Sequence, residues 1–203
     1  MRVIDLSHAF APGQPHFPGD PDQEIKTVST IENEGFLMHQ YTLVGSWGTH
    51  VDAPAHFDPQ GRTLDQIPIE ETHLPLYCID LTEPLCTAEK SHTFEQNHGT
   101  IQPKSFVALH TGWTWGNNGT APGWTIEALN LLHTKGITAI GHDLPDTDPT
   151  LRAQRWWLTR DHWQIENLTN LHHIPATGAT IICPWPVPKG GASFPVRPIA
   201  LIP

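Results

Sequence analysis

Short apolar runs separated by turn residues recur along the whole chain. They are six to nine residues long and rich in Val, Ile, Leu and aromatic side chains. Runs of this length and composition predict β-strands. The 20 prolines and 16 glycines supply many turns between them. The predicted strands cover residues 3–8, 36–44, 74–81, 106–111, 137–143, 163–168, 180–186 and 195–201.

A helical period replaces this pattern in two places. After Thr125, a good N-cap, apolar residues recur on one side of the segment 126–135, and Gly136 follows as the C-terminal stop. The second predicted helix covers 150–159, with Asp148 as N-cap and a proline at the first helical position. On this helix Gln154 shares a face with Trp157 and Leu158. The glutamine is therefore expected to point inward.

Strands outnumber helices, which predicts an α/β or α+β body of barrel-like shape. A chain of 203 residues can bury a full hydrophobic core, and its composition does not change along its length. We therefore predict a single domain over residues 1–203. An apolar content of 38% and a charged content of 16% fit a globular protein.

Charge and cysteine content exclude several classes of function. The net charge is −10, and the scattered Lys and Arg residues form no basic stripe, so we expect no nucleic-acid partner. No apolar run is long enough to span a bilayer, and the N-terminus begins directly with strand-like sequence. We expect a cytoplasmic protein without a membrane partner. Its three cysteines lack C-x-x-C spacing and predict neither disulfides nor structural zinc.

The segment 45–57, GSWGTHVDAPAHF, contains the chemistry-bearing residues at the closest spacing. If it enters as a strand, His50 and Asp52 project to the same face and can meet one cation. Pro54 then ends the strand, and the bend can bring His56 over the same cation as a base. With 14 histidines in the chain, a structural role for the His-x-Asp pair is the competing interpretation.

Three aromatic residues are candidates for the wall of a substrate pocket. Phe17 lies in the turn-dense segment 12–21, a candidate pocket loop, and Trp47 and Phe57 flank the proposed ligands. For Phe17 and Phe57, packing within their own segments is the commoner role. Neither G-x-S-x-G nor a nucleotide-binding glycine motif is present in the sequence.

The order of motifs along the chain resembles the metal-dependent cyclase/hydrolase family, which includes bacterial kynurenine formamidase, isatin hydrolase and a trans-dienelactone hydrolase. The matching segments are D-L-S-H, G-T-H-x-D-x-P-x-H-F, T-G-W, G-x-D-x-P-D-T-D-P, E-N-L-x-N-L and P-V-R-x-I-A-L. The resemblance implies the family's swivelling β/β/α fold and a homodimer or higher homo-oligomer. It also implies that His50 and Asp52 bind metal and that His56 is the catalytic histidine.

Two positions differ from the family's binuclear zinc pattern. Members with two zinc ions carry histidines where this chain has Ser46 and Gln154. A serine hydroxyl is a poor replacement, whereas the amide oxygen of Gln154 can still bind a metal, as glutamine does at this place in isatin hydrolase. The resemblance therefore implies one divalent ion, Mn²⁺ or Zn²⁺, held by His50, Asp52 and Gln154. Glu166 is expected to ligate it directly or to support a ligand.

These residues predict a hydrolase acting on a small molecule. A divalent ion activates water and polarises a carbonyl, and His56 can take up and return the proton, which suits cleavage of an amide or a lactone. Two alternatives stay open: a metal-assisted lyase or cyclase, and a non-catalytic protein that binds a metal or ligand. Neither the substrate nor the metal follows from the sequence.

Overall fold

The computed structural model describes residues 1–114 and 121–203. Its helices are α1 (Ile31–Glu34), α2 (Ala88–His98), α3 (Ile126–Thr134) and α4 (Arg152–Leu158). Its strands are β1 (Arg2–Asp5), β2 (Glu24–Ser29), β3 (Met38–Thr42), β4 (His50–Asp52), β5 (His73–Asp80), β6 (Leu85–Cys86), β7 (Phe106–His110), β8 (Gly123–Trp124), β9 (Ala139–His142), β10 (Trp163–Glu166), β11 (Ala179–Ile182), β12 (Ser193–Pro195) and β13 (Ile199–Ile202).

Nine strands form one mixed sheet in the order β1-β13-β11-β5-β7-β9-β10-β4-β12. Strands β5, β7, β9 and β10 are parallel, and the strands added on either side are antiparallel. The sheet curls into a half barrel, so the predicted α/β class is confirmed. The chain places β4, which carries the His-x-Asp pair, beside β10 near one edge of this sheet.

Both faces of the sheet are buried, and the two-residue period of a strand determines the face to which each side chain points. In β7, Phe106 and Ala108 belong to one buried cluster, whereas Val107 and Leu109 belong to the other. Successive side chains of a strand point to opposite faces, so a fully apolar strand can serve two cores. Helices α2, α3 and α4 pack on the second cluster. This arrangement explains why the central strands show no apolar–polar alternation in the sequence.

The first predicted helix is confirmed at both ends. The Thr125 side chain accepts a hydrogen bond from the Ala128 N–H at 3.2 Å, as expected of an N-cap. Gly136 follows with φ of 73°, a left-handed conformation that favours glycine.

The start of the second predicted helix was wrong. Pro149 and Thr150 belong to a turn, and α4 begins at Arg152 after Leu151, which has a φ of 57°. Asp148 still caps the helix, but from farther back: its Oδ2 accepts the Ala153 N–H at 2.6 Å and the Gln154 N–H at 3.2 Å. A carboxylate that reaches over a turn satisfies the same free N–H groups as an adjacent N-cap.

The predicted strand over 36–44 is shorter in the structure and stands apart from the main sheet. Strand β3 pairs only with β2, which forms a two-stranded hairpin. The hairpin exposes apolar side chains, namely Ile25, Val28, Ile31, Phe36, Leu37, Met38 and Tyr41. Among the helices of the described residues, none has the length and apolar character needed to cross a membrane.

Candidate metal centre

The metal-site candidates come together because β4 and β10 are neighbours. In this antiparallel pair His50 lies opposite Glu166, and Asp52 lies opposite Gln164. Ligand atoms of His50, Asp52 and Glu166 all lie within 4.8 Å of one another, and all three residues are buried. In residues 1–114 and 121–203 this is the one such cluster of His, Cys, Asp or Glu. Cross-strand register therefore brings together residues more than a hundred positions apart.

Backbone geometry orients the His50 ring toward the carboxylates. Its Nδ1–H donates to the Gly48 carbonyl at 2.9 Å, since a carbonyl can only accept. The other nitrogen, Nε2, lies 3.6 Å from Asp52 Oδ1 and 3.4 Å from Glu166 Oε2. A backbone hydrogen bond that fixes one ring nitrogen and leaves the other for a metal is typical of histidine ligands.

Two buried oxygens in this cluster have no hydrogen-bond partner among the described residues. They are Asp52 Oδ1 and Gln154 Oε1. The amide of Gln154 lies against the same carboxylate, with its Nε2 donating to Asp52 Oδ2 at 3.3 Å. A buried acceptor without a partner is costly, and a cation would satisfy both oxygens at once. One imidazole nitrogen and several oxygens therefore form a donor set that fits a divalent metal ion.

Gln164 holds the two carboxylates in place. Its Nε2 donates to Asp52 Oδ2 at 3.1 Å and to Glu166 Oε1 at 2.7 Å. Its own oxygen accepts the Thr147 hydroxyl at 2.7 Å, and that hydroxyl lies 3.2 Å from Nε2 of the buried His142. Hydrogen bonds behind the ligands orient them and tune their basicity.

The same contacts perturb the pKa values of the cluster. Burial alone would lower the pKa of His50, but Asp52 and the hydrogen-bonded Glu166 outweigh burial and raise it to about 9. Burial, reinforced by Asp52, raises the pKa of Glu166 well above its usual range, and His50 opposes that shift. Without an ion the site therefore holds protons that a metal has to displace.

A cavity of about 430 Å³ opens onto the cluster. His50, Asp52, Gln154 and Glu166 lie in its wall, and so does His56, which is exposed to the cavity on the turn after β4. The structure thus places the predicted base and all four predicted ligands in the wall of one cavity. Phe17, Phe57 and Ser46 also line the cavity.

Trp47 does not line the cavity, although the sequence suggested it as a pocket wall. Its side chain is fully buried, and its ring lies 4.8 Å from the ring of His16, which does reach the cavity. A large side chain in the glycine-containing turn Gly45–Gly48 can point inward as easily as outward, so the sequence alone could not assign its direction.

Several residues of the site were not among those predicted from the sequence. The strand period puts Gln164 on the same face as Glu166, but its bridging role depends on strand register. His8 ends the predicted strand 3–8, His16 lies in the turn-dense segment 12–21, and Asp146 precedes the predicted N-cap Asp148; all three line the cavity. Burial, and next Asp52, raise the pKa of Asp146 to about 7.

Comparison with known proteins identifies the family. A family model described as "putative cyclase" matches residues 4–149. The chain belongs to the cyclase family. Cyclase-family relatives include an isatin hydrolase from Roseibium aggregatum, 27% identical over 245 residues, which covers 100% of this chain and 92% of the relative. A kynurenine formamidase from Salinibacter ruber is 25% identical over 98% of this chain and 97% of its own.

Solved cyclase-family structures agree in fold. An isatin hydrolase bound to the product analogue thioisatinate aligns with a TM-score of 0.91 at 24% identity, over 99% of this chain and 92% of that one. A predicted metal-dependent hydrolase from Bacillus stearothermophilus aligns with a TM-score of 0.77 at 20% identity, over 98% and 97%. At these identities the likeness establishes the fold alone.

The raised pKa values predict pH-dependent metal binding in this cyclase-family site. Because His50 is protonated at neutral pH without a metal, an incoming ion must displace that proton, so affinity falls as the pH falls. We expect about one to two protons released per Mn²⁺ bound, and roughly a tenfold weaker affinity per pH unit for each proton. Calorimetric titration in two buffers of different ionisation enthalpy measures the number of protons released per ion. Proton-free binding at pH 7 would contradict the proposed ligand set.

Replacing Gln164 by leucine removes both N–H donors from the Asp52 and Glu166 carboxylates. We expect the affinity for Mn²⁺ to fall by roughly 10- to 100-fold, as for other hydrogen-bond partners of metal ligands. The matched control is Gln96→Leu on the exposed side of α2, which should bind Mn²⁺ as the wild type does. Equal affinities in the two variants would show that Gln164 only fills space.

Proposed function

We propose that this cyclase-family protein is a metal-dependent hydrolase that cleaves an amide bond, either an arylformamide or a cyclic amide, or a lactone. One observation carries the proposal. The unpartnered Asp52 Oδ1 and Gln154 Oε1 belong to residues in the wall of the cavity that His56 also lines. The named activities of the relatives, isatin hydrolase and kynurenine formamidase, support the same class of reaction.

The residues that would hold the ion are His50, Asp52 and Gln154, with Glu166 as a further direct ligand. We infer one ion rather than two, because Ser46 and Gln154 stand where the binuclear pattern has histidines. The oxygen-rich set tolerates Mn²⁺ as well as Zn²⁺. When bound, such an ion lowers the pKa of water toward neutrality and polarises a carbonyl oxygen.

His56 supplies the acid–base chemistry in this proposal. It ends the short turn Pro54–His56, which begins two residues after β4, so the strand that carries two ligands also sets its position. Its ring packs edge-on against Phe57, with ring centroids 5.0 Å apart, which restricts its orientation. A histidine there can accept a proton from the attacking water and return it to the departing nitrogen or oxygen.

The rest of the cavity suits a flat, partly apolar substrate. Phe17 and Phe57 line it, and Arg155 lies over the Phe57 ring at 4.8 Å, which holds that ring in place. We propose a small-molecule substrate with an aromatic or cyclic part between these two side chains.

We also propose that the protein works as a homo-oligomer. The hairpin β2–β3 carries a concentrated set of exposed apolar side chains, including Phe36, Leu37 and Tyr41. Single exposed apolar residues are common on protein surfaces, whereas a cluster of them indicates an interaction surface. A second copy of this chain would cover it. Light scattering coupled to size-exclusion chromatography measures the assembly.

Metal analysis and a substrate panel test the proposal. The purified protein, loaded with Mn²⁺ or Zn²⁺, is assayed on isatin, N-formylkynurenine and small lactones before and after chelation. We expect activity that chelation removes and metal restores. A protein that retains no metal above trace and loses no activity on chelation would contradict it.

Two further measurements separate the alternatives. Hydrolysis must place ¹⁸O from labelled water in the product, whereas a lyase or cyclase need not. A non-catalytic binding protein would show neither turnover nor any change of ligand binding in His56→Ala.

A further inference from the structure

Three aspartates follow β9 within six residues, and two of them have structural partners. Asp143 accepts the Thr111 hydroxyl at 2.7 Å and the Gly112 N–H at 2.9 Å. Asp148 accepts the backbone N–H groups at the start of α4. Both carboxylates therefore hold loops and a helix end in place, and neither is free to bind a ligand.

Asp146, between them, has no such role. In the described part of the chain its side chain makes no hydrogen bond and no ion pair, yet it is half-buried and lines the metal-site cavity, as Gln154 does. A carboxylate that has lost part of its hydration without gaining a donor is unfavourable. Within this loop Asp146 is the aspartate whose acceptor oxygens remain available.

The charges around the cavity limit the kind of group that Asp146 can bind. Among the described lining residues there is no lysine or arginine, and the acidic ones are Asp20, Asp52, Asp146 and Glu166. A bound dication would be balanced by Asp52 and Glu166, which leaves Asp20 and Asp146 uncompensated. The cavity therefore disfavours an anionic substrate and offers Asp146 no lysine or arginine as a partner.

The missing partner is then a hydrogen-bond donor on the substrate. An amide or lactam offers an N–H next to its carbonyl, whereas the ring oxygen of a lactone can only accept and would face the carboxylate unfavourably. N-methylation of the amide removes the donor in the same way. One N–H thus distinguishes the substrate classes that the metal and His56 alone would treat alike.

We infer that Asp146 is a specificity-determining residue that accepts a hydrogen bond from the N–H beside the scissile carbonyl, which makes the enzyme selective for secondary amides and lactams over lactones. This inference rests on the proposed hydrolase function. It assigns Asp146 a contact with substrate and no part in metal binding.

Matched substrate pairs test it in the metal-loaded protein. The measurement is kcat/KM for isatin and for N-methylisatin in the wild type, Asp146→Ala and Asp146→Asn. Because the pKa of Asp146 is about 7, the assays are run at pH 8, where its carboxylate is ionised. We expect the wild type to prefer isatin by about 10- to 100-fold, because the lost hydrogen bond then involves a charged acceptor. In Asp146→Ala the ratio should fall to within about threefold of one, chiefly through loss of activity on isatin. Asp146→Asn, which keeps one acceptor oxygen, should retain part of the preference.

The control is Glu89→Gln, which removes one negative charge from the exposed first turn of α2. It should keep the wild-type ratio. An unchanged ratio in Asp146→Ala, with the wild type active, would overturn the inference and leave the hydrolase proposal intact.

Failure of the proposed function has a different signature. If the wild type turns over neither compound, calorimetric binding of the same pair decides the matter. Wild-type binding that favours isatin, lost in Asp146→Ala, supports the role of Asp146 in a binding protein. Equal binding of the two compounds by the wild type overturns it.

Discussion

Asp52→Asn is expected to abolish metal binding and to lower kcat/KM by at least about 10³-fold. Asp52 Oδ1 has no hydrogen-bond partner, while its Oδ2 already accepts from Gln154 and Gln164, so one oxygen is left for an ion. Asparagine keeps the shape but removes the charge. A bound ion contributes several kcal/mol to the transition state, and each 1.36 kcal/mol is tenfold in rate.

The measurements are the metal content after loading with Mn²⁺ and the thermal stability with and without the ion. Wild-type protein should gain about 2.7 kcal/mol of unfolding free energy at a free ion concentration of 100 times the dissociation constant. The Asp52→Asn protein should gain none.

Asp58→Asn is the matched control. Asp58 lies six residues farther along, where its carboxylate accepts the Gln60 N–H in a surface turn and does not line the cavity. This variant should keep both the metal and the stabilisation. Full metal content in Asp52→Asn would exclude Asp52 from the ligand set.

How much of this site the sequence predicted depends on the distance over which each contact acts. The two-residue period of a strand placed His50 and Asp52 on one face, and the structure agrees, with both residues buried in β4. The same rule puts Gln164 and Glu166 on one face of β10, where the two side chains are hydrogen-bonded. The spacing of neighbouring residues is enough to predict such local geometry.

The contacts between segments could not be predicted in this way. That Glu166 lies opposite His50 is a matter of strand register, which is set by packing across the whole sheet. The bridging role of Gln164 and the free carboxylate of Asp146 follow from that packing. The predicted start of α4 was wrong for a related reason. Asp148 caps the helix across a turn, and the sequence of that turn did not indicate it.

His56→Ala is expected to separate catalysis from metal binding. The His56 side chain lines the cavity on the turn after the strand that carries two ligands, but its ring packs on Phe57 and lies outside the ligand cluster. Metal content should therefore equal that of the wild type, while kcat falls by roughly 10²- to 10⁴-fold, the usual contribution of a general acid or base.

His92→Ala is the control, since His92 is exposed on α2 away from the cavity. Added imidazole should restore part of the activity of His56→Ala and none of that of Asp52→Asn, because only the first variant keeps the metal and lacks just a proton carrier. A loss of metal in His56→Ala would make His56 a ligand, and an unchanged kcat would remove it from the reaction. Since the two variants are expected to fail in different measurements, together they distinguish a hydrolase with a histidine base from a site that only binds metal.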